Sequence, residues 1–168
     1  MKIEAVDFFY LSMPVVTDAG DGSQDALLVR VAAGGLIGWG ECEASPLTSI
    51  AAYVTPMSHG ACRPLRDVVI GKPLDGPEDI AALAAAVEIE CMDLLQASHT
   101  LSGIEMALWD ILGRKREVPV HTLLGYSKAY PKLPYASQLF RDTAGETLAG
   151  CRAARQRGRS RARQSQQS

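Results

Sequence analysis

Two carboxylate pairs are the residues of this 168-residue chain whose types and spacing first suggest chemistry. Glu41 and Glu43 stand two apart, which places both on one face of an extended segment. Asp18 and Asp21 stand in a glycine-containing polar stretch, where their oxygens could hold a cation. A metal site made of oxygen ligands needs more converging groups than either pair supplies. We therefore interpret the first pair as ion-pairing residues at a strand end and the second as solvated loop residues, and we assign no catalytic and no metal-binding residue.

Thiols and imidazoles give no site pattern either. The cysteines (Cys42, Cys62, Cys91 and Cys151) lack a C-x-x-C spacing, and the histidines (His59, His99 and His121) are isolated from them and from one another. Buried free thiols are typical of a reducing compartment, so we expect a cytoplasmic protein with neither disulfides nor a zinc site. No apolar run has the length of a signal-peptide core or a membrane span, which predicts no membrane partner.

The elements that would position any site follow a simple order. Segments rich in β-forming residues come first, at Lys2 to Pro14, Ala26 to Ala33 and Leu36 to Glu43. Gly34-Gly35 between the last two is a hairpin signal. Helical patterns follow, at Pro46 to about Val54, Pro64 to Ile70, Glu78 to Gln96 and from Ser102 onward. This order predicts an α+β fold, a three-stranded antiparallel meander with a helical layer on one face.

The helix from Ser102 organises the rest of the chain. Ser102 and Glu105 stand as S-x-x-E, which predicts a capping box at the helix start. Apolar residues cover most of its circumference, Trp109 among them, so the helix is predicted to be buried from more than one side. Asp110 and Arg114 are four apart and can form an ion pair. Pro119 then opens a short helix that Gly125 ends.

This stretch carries a family resemblance. The run S-G-I-E-x-A-L-x-D-I-x-G-R, followed after four residues by P-V-x-x-L-L-G, looks like the helix signature of the mandelate racemase/muconate lactonizing enzymes, a branch of the enolase superfamily. The resemblance extends over roughly residues 1 to 157 in the order and type of segments. It implies an enolase N-terminal-domain-like fold, followed by the beginning of a (β/α) barrel.

The resemblance also implies a reaction class. Such enzymes bind a small carboxylic acid on Mg²⁺ and remove the proton next to the carboxylate, with a Lys or His as the base. The metal ligands and the bases stand at the ends of barrel strands that this chain does not contain. By resemblance, then, the chain carries no catalytic residue and no metal ligand, Mg²⁺ and substrate are expected only for a full-length member, and this chain is expected to be inactive alone.

What the chain does carry, by resemblance, is the cap that closes over the barrel mouth and selects the substrate. The matching loop runs from Val16 to Gln24, and its proposed capping residues are Val16, Thr17, Asp18, Ala19, Gly20, Asp21 and Gly22. A second capping segment corresponds to Pro46 to Met57, where Thr48 and Tyr53 are the side chains most able to contact a ligand. Polar loops on a rigid scaffold suit such a lid.

The C-terminal part is predicted to hold one strand–helix unit of a truncated barrel. Pro134 to Phe140 is predicted as the strand, and Thr143 with Glu146 as a capping box that opens the helix, which Gly158 is predicted to stop. The predicted domains are residues 1–132 (cap), 133–157 (first barrel unit) and 158–168 (disordered Arg/Ser/Gln tail). Unpaired strand edges predict self-association. The abrupt change at Gly158 suggests a frameshift in the coding sequence.

Charge supports one alternative from another functional class. Residues 1–150 hold 11 Lys and Arg against 19 Asp and Glu, a formal charge of −8, whereas the six arginines of residues 151–168 give +6. The alternative is a non-enzymatic interaction module that uses the arginine-rich tail on nucleic acid or an acidic partner. The tail has no aromatic residue for stacking on bases, and the body is acidic, so nucleic acid is the less expected partner.

Overall fold

The computed structural model describes residues 1–16, 24–42, 45–128 and 143–164, with side chains in the last range described to residue 157. The described strands are β1 (Ile3–Leu11), β2 (Ala26–Ala33) and β3 (Leu36–Cys42). The described helices are α1 (Pro46–Val54), α2 (Leu65–Val69), α3 (Pro77–Glu90), α4 (Ala97–Arg116), α5 (Val120–Leu123) and α6 (Ala144–Gln164).

The three strands form an antiparallel sheet in the order β1-β2-β3. Gly34 and Gly35 join β2 to β3 with φ of 56° and 77°, a pair of left-handed conformations that favours glycine in a two-residue hairpin. The sheet is irregular between Ile3 and Ala5 on β1, where the pairing register shifts by one residue. The predicted meander is confirmed.

One face of this sheet is the core. Along β2 every second side chain is fully buried, from Leu27 to Ala33, and the residues between them are half-buried. Because successive side chains of a strand point to opposite faces, this alternation buries one face only. Helix α4 lies across β3 and β2 on that face, and α1 and α3 pack against α4. The predicted α+β arrangement, strands followed by one helical layer, is confirmed.

Helix α4 begins earlier than the sequence pattern predicted. It starts at Ala97, so Ser102 lies inside it and its hydroxyl donates to the His99 carbonyl at 2.7 Å. Glu105 accepts a hydrogen bond from the Trp109 indole at 3.2 Å and does not reach back to Ser102. The predicted capping box is therefore wrong. The reason is that Ala97, Thr100 and Leu101 are also buried, so tertiary packing extends the helix by one and a half turns.

Three glycines let α4 approach β3 unusually closely. A Cβ at Gly38 would lie 2.0 Å from the Ala107 carbonyl oxygen, and a Cβ at Gly40 would lie 1.9 Å from that of Gly103. A Cβ at Gly103 would lie 2.5 Å from the Cys42 sulfur. The signature residues Gly103 and Ala107 therefore set the separation between helix and strand.

Asp110 fastens α4 to the free edge of β3. Its carboxylate accepts the Trp39 backbone N–H at 3.1 Å and pairs with Arg114 at 3.0 Å, the ion pair expected from their spacing. An edge strand leaves backbone donors without a sheet partner, and this carboxylate satisfies one of them. Asp110, the aspartate of the signature run, thus has the structural role of linking α4 to β3.

The remaining helices differ from the predictions mainly at their ends. Helix α3 ends at Glu90, although an apolar pattern continues to Gln96, because the chain turns at Cys91. Its start is held by Asp79, which accepts the backbone N–H groups of Asp75 at 2.6 Å and Gly76 at 3.1 Å. Helix α5 follows Pro119, and Gly125 has φ of 88°, as the sequence predicted.

The chain divides into two compact units. The first comprises Met1–Pro14 with Asp25–Ala129, and contains the sheet and α1 to α5. The second comprises Val15–Gln24 with Tyr130–Ser168, and contains α6. The predicted barrel strand Pro134–Phe140 lies outside the described residues.

Helix α6 both confirms and corrects the sequence interpretation. Thr143 and Glu146 form the predicted capping box, since the Glu146 carboxylate accepts the Thr143 N–H at 3.1 Å and the Thr143 hydroxyl accepts the Glu146 N–H at 3.2 Å. Gly158 does not end the helix, which continues to Gln164. Arg, Ala and Gln are strong helix formers and a single glycine costs only about 1 kcal/mol, which accounts for the helical backbone of residues 158–164. Disorder of the tail in solution stays a prediction. Residues 165–168 lie outside the described part.

Candidate functional site

The predicted capping loop is described only at its ends. Residues 17–23 lie outside the described ranges, whereas Val16 is 59% exposed. The stem below the loop is tied by Asp25, whose carboxylate accepts the Met13 backbone N–H at 2.7 Å and the Tyr10 hydroxyl. Asp25 thereby joins the end of β1 to the start of β2. The capping role of Val16 to Gly22 stays a prediction.

The contact between Tyr10 and Asp25 determines the protonation states of both side chains. The hydrogen bond from Tyr10, helped by the one from Met13, lowers the pKa of Asp25, and the same contact raises the pKa of Tyr10. At neutral pH the pair is therefore a neutral phenol donating to a carboxylate. Sequence reasoning missed Asp25, although an aspartate placed directly before a β-type segment is a signal for such a contact.

The two side chains predicted for the second capping segment stand differently on α1. Thr48 is exposed and its hydroxyl donates to the Ser45 carbonyl at 3.1 Å. Tyr53 is only 5% exposed and its ring packs edge-on against Phe8, with ring centroids 5.0 Å apart. Burial raises the pKa of Tyr53 to about 12, so its phenol is neutral near pH 7. Ligand contact stays a prediction for both residues, and Tyr53 has in addition a packing role that the sequence did not reveal.

Thr48 borders a shallow groove between α1 and the turn after α3. The groove has a volume of about 310 Å³ and is lined by Thr48, Ala51, Ala52, Thr55, Asp93, Leu94, Leu95 and Gln96. A second groove of about 450 Å³ lies between α3 and the start of α4, and Leu94 and Leu95 border both. Ligand sites usually combine an apolar wall with a few convergent polar groups. The walls of both grooves are mostly apolar, and each groove has one carboxylate, Asp93 in the first and Glu88 in the second. Such walls are better suited to packing against an apolar group than to catalysis.

Of the two predicted carboxylate pairs, one member, Glu41, lies in the described ranges. Glu41 is exposed, and Glu43, Asp18 and Asp21 lie outside the described ranges. Within those ranges, no group of three or more His, Cys, Asp or Glu side chains could hold a metal ion. The described residues therefore do not fit a Mg²⁺ site.

The cysteines are all free thiols. Cys42, Cys62 and Cys91 are buried and Cys151 is exposed. Burial raises the pKa of Cys42, and it raises that of Cys91 to about 11, which keeps both thiols protonated and unreactive. Of the helices in the described ranges, none is long and apolar enough to pass through a membrane.

Comparison with known proteins agrees with this architecture. Residues 7–125 match the family described as mandelate racemase/muconate lactonizing enzyme, N-terminal domain. The crystal structure of a predicted mandelate racemase from Rhodobacter sphaeroides is 69% identical, with a TM-score of 0.87 over 94% of this chain and 40% of that one. A mandelate racemase/muconate lactonizing enzyme-like protein from Rubrobacter xylanophilus is 26% identical, with a TM-score of 0.51 over 74% of this chain and 27% of that one. The chain thus spans less than half the length of the solved structures it matches.

Proposed function

The chain belongs to the mandelate racemase/muconate lactonizing enzyme family, within the enolase superfamily, and from this premise we propose that it is a capping and substrate-specificity domain. The whole protein would be a Mg²⁺-dependent racemase, cycloisomerase or acid-sugar dehydratase that removes the proton next to a substrate carboxylate. The observation that carries the proposal is the match of residues 7–125 to the N-terminal domain of this family, with the α4 signature packed on β3.

The geometry of the first unit suits such a role. Its sheet, α1 and α4 form one buried core, and this core holds both ends of the predicted capping loop through β1 and β2. Asp25 fixes the stem of that loop, and α1 presents Thr48 beside a groove. A lid excludes water and contacts the substrate, and it needs a rigid base to do so. The first unit supplies that rigid base.

The chemistry itself is proposed to reside elsewhere. The Mg²⁺ of the enolase superfamily stabilises the negative charge that develops on the substrate carboxylate. The described residues of this chain do not fit that ion, so no step of the reaction is assigned to them. Their proposed contribution is to bind the part of a small carboxylic acid that faces away from the metal. The proposed localisation of the protein is the cytoplasm.

A chimera tests the proposal. Residues corresponding to this chain in the Rhodobacter sphaeroides relative are replaced by this chain's residues 1–157, and the rest of that relative is kept. Exchange of the proton next to the carboxylate is followed by ¹H NMR in D₂O with Mg²⁺, over a panel of sugar acids and mandelate-like acids. We expect the chimera to exchange the acids that the unmodified relative exchanges, and the 168-residue chain alone to exchange none.

Variants of the chimera separate capping from mere folding. Thr48→Val should change the relative rates among the acids, since it alters a side chain beside the groove without removing buried volume. Leu47→Ala, at an exposed neighbouring position on α1, is the matched control and should leave those ratios unchanged. A chimera that folds but exchanges none of the acids used by its parent would overturn the proposal.

A further inference from the structure

Four of the six arginine positions of α6 fall on one side of the helix. Arg152, Arg155, Arg159 and Arg163 are spaced i, i+3, i+7 and i+11, and at 100° per residue these positions lie within an arc of about 80°. Arg157 and Arg161 occupy the opposite side. We call the first four positions the arginine stripe. It extends for roughly 16 Å along the helix at 1.5 Å per residue.

The stripe positions whose side chains are described, Arg152 and Arg155, lie away from the half-buried side of the helix. Gly150, Ala153 and Ala154 are half-buried, whereas Arg152 and Arg155 are exposed. Among the described residues, neither arginine has an ion pair within 4.0 Å. After Glu146 the sequence contains no acidic residue, so nothing along this part of the helix offsets the charge.

We propose that the arginine stripe binds the phosphate backbone of duplex nucleic acid. Guanidinium groups recognise phosphate oxygens bidentately, and helix-borne arginines are a usual source of backbone contacts. A duplex carries one negative charge for about every 1.7 Å of its axis, so a stripe of this length faces more phosphates than it has arginines. The major groove, about 12 Å wide, also admits an α-helix.

Two features favour a duplex over other polyanions. Binding of single strands without sequence preference depends on aromatic side chains that stack on bases, and residues 143–168 contain none. Helices that lie in a membrane surface need large apolar residues opposite their cations. Beyond Leu148 this helix offers only alanine and Cys151. The absence of aromatic residues, which counts against stacking on bases, is compatible with backbone contacts from a helix.

The test measures binding of the purified 168-residue chain to a fluorescein-labelled 20-base-pair DNA duplex by fluorescence anisotropy between 50 and 200 mM NaCl. Four phosphate contacts predict a slope of about −3.6 in a plot of log K against log salt, since each contact contributes about −0.9. Affinity should therefore fall roughly 100-fold over this range.

A matched pair of variants locates the contacts. Arg155→Gln/Arg159→Gln removes two stripe positions and should reduce the slope to about −1.8. Arg157→Gln/Arg161→Gln removes the same charge from the opposite side and should leave the slope near −3.6. Glutamine keeps a helix propensity close to that of arginine, and far-UV circular dichroism checks that both variants retain the same helix content.

Three outcomes would overturn the proposal. The first is no binding at 50 mM NaCl. The second is an equal loss in both variants, which would indicate net charge without a defined face. The third is a competing mode of binding, seen either as tighter binding to phosphatidylserine vesicles than to the duplex or as salt-sensitive self-association through the acidic first unit in place of duplex binding.

Discussion

At the residue scale, Gly38 and Gly40 are the positions where the lack of a side chain lets α4 pack on β3. Both lie on β3 under α4, and a Cβ at either would meet a backbone carbonyl oxygen at 2.0 Å or less. A helix backbone cannot yield as the end of a flexible side chain can. The only remedies are to separate α4 from the sheet or to break the strand, and either opens the core.

Gly40→Ala should therefore lower the free energy of unfolding by about 2–4 kcal/mol, the range of overpacking combined with lost core contacts. Urea denaturation measures it. Gly60→Ala is the control, because no heavy atom lies within 4 Å of a Cβ at that position, and it should be neutral. Equal stability of the two variants would show that α4 does not rest on β3 as described.

Asp75 is the second residue with a measurable signature. The Met1 ammonium at 2.6 Å and Lys115 at 2.9 Å hold the pKa of this exposed carboxyl down to about 2. An aspartate in the unfolded chain titrates near about 3.9. Because the folded pKa is the lower one, the stabilisation is fully present above pH 4 and is lost as the pH falls from 4 toward 2.

Asp75→Asn should accordingly be less stable than the wild type at pH 6, and the difference should shrink as the pH approaches 2. Thermal unfolding at a series of pH values measures this. Asp67→Asn, which removes an exposed carboxylate that pairs with the neighbouring Arg66, is the control and should show no comparable trend. A difference that is constant with pH would contradict the assigned contacts.

At the scale of the element, α4 is buried along one side and not all round. Leu108 is fully buried, whereas the next residue, Trp109, is half-buried and its indole donates to Glu105. Leu108→Ala should cost about 2–5 kcal/mol through the cavity it leaves. Trp109→Ala should cost only about 1–2 kcal/mol, because part of the ring already lies in water. Guanidinium denaturation of both variants measures the two costs. A larger loss of stability for Trp109→Ala than for Leu108→Ala would show that Trp109 is the core residue that its apolar neighbours suggested.

The end of α4 stores a little strain. Glu117 occupies the left-handed conformation with φ of 54°, a position where helices usually place glycine. Glu117→Gly should stabilise the protein by about 0.5–1 kcal/mol, since it removes the Cβ clash. Glu117→Ala removes the same charge but keeps the Cβ, so it should give no such gain. Thermal melts of the three proteins side by side separate strain from charge.

At the scale of the whole molecule, the core belongs to the first unit. Every buried hydrophobic residue of the described core cluster lies between Ile3 and Leu112. A chain cut after Ala129 should therefore unfold at the same urea concentration as the full chain, because it keeps that core intact. Analytical ultracentrifugation of both would also show whether residues 130–168 cause the expected self-association. A cut chain that fails to fold would contradict the independence of the first unit.

The sequence alone determined the elements whose signals are local. The strand from Ala26 to Ala33, the Gly34-Gly35 hairpin, the Pro119 and Gly125 boundaries and the Thr143–Glu146 capping box all depend on neighbours within a few residues, and the structure confirms each. The signature run also indicates the family from the sequence alone, since several of its residues make the contacts between α4 and β3.

Only the tertiary structure decided what those fixed positions do. Ser102 matched a capping box but lies inside a helix, because contacts with α1 and the sheet bury the turn before it. Asp25 fastens the loop stem through strands whose paired residues are 15 or more apart in sequence, and Tyr53 is a core residue through its contact with Phe8. The arginines became a stripe only when the backbone around Gly158 proved helical. Contacts between residues distant in sequence depend on how the elements pack, and local patterns carry no record of that packing.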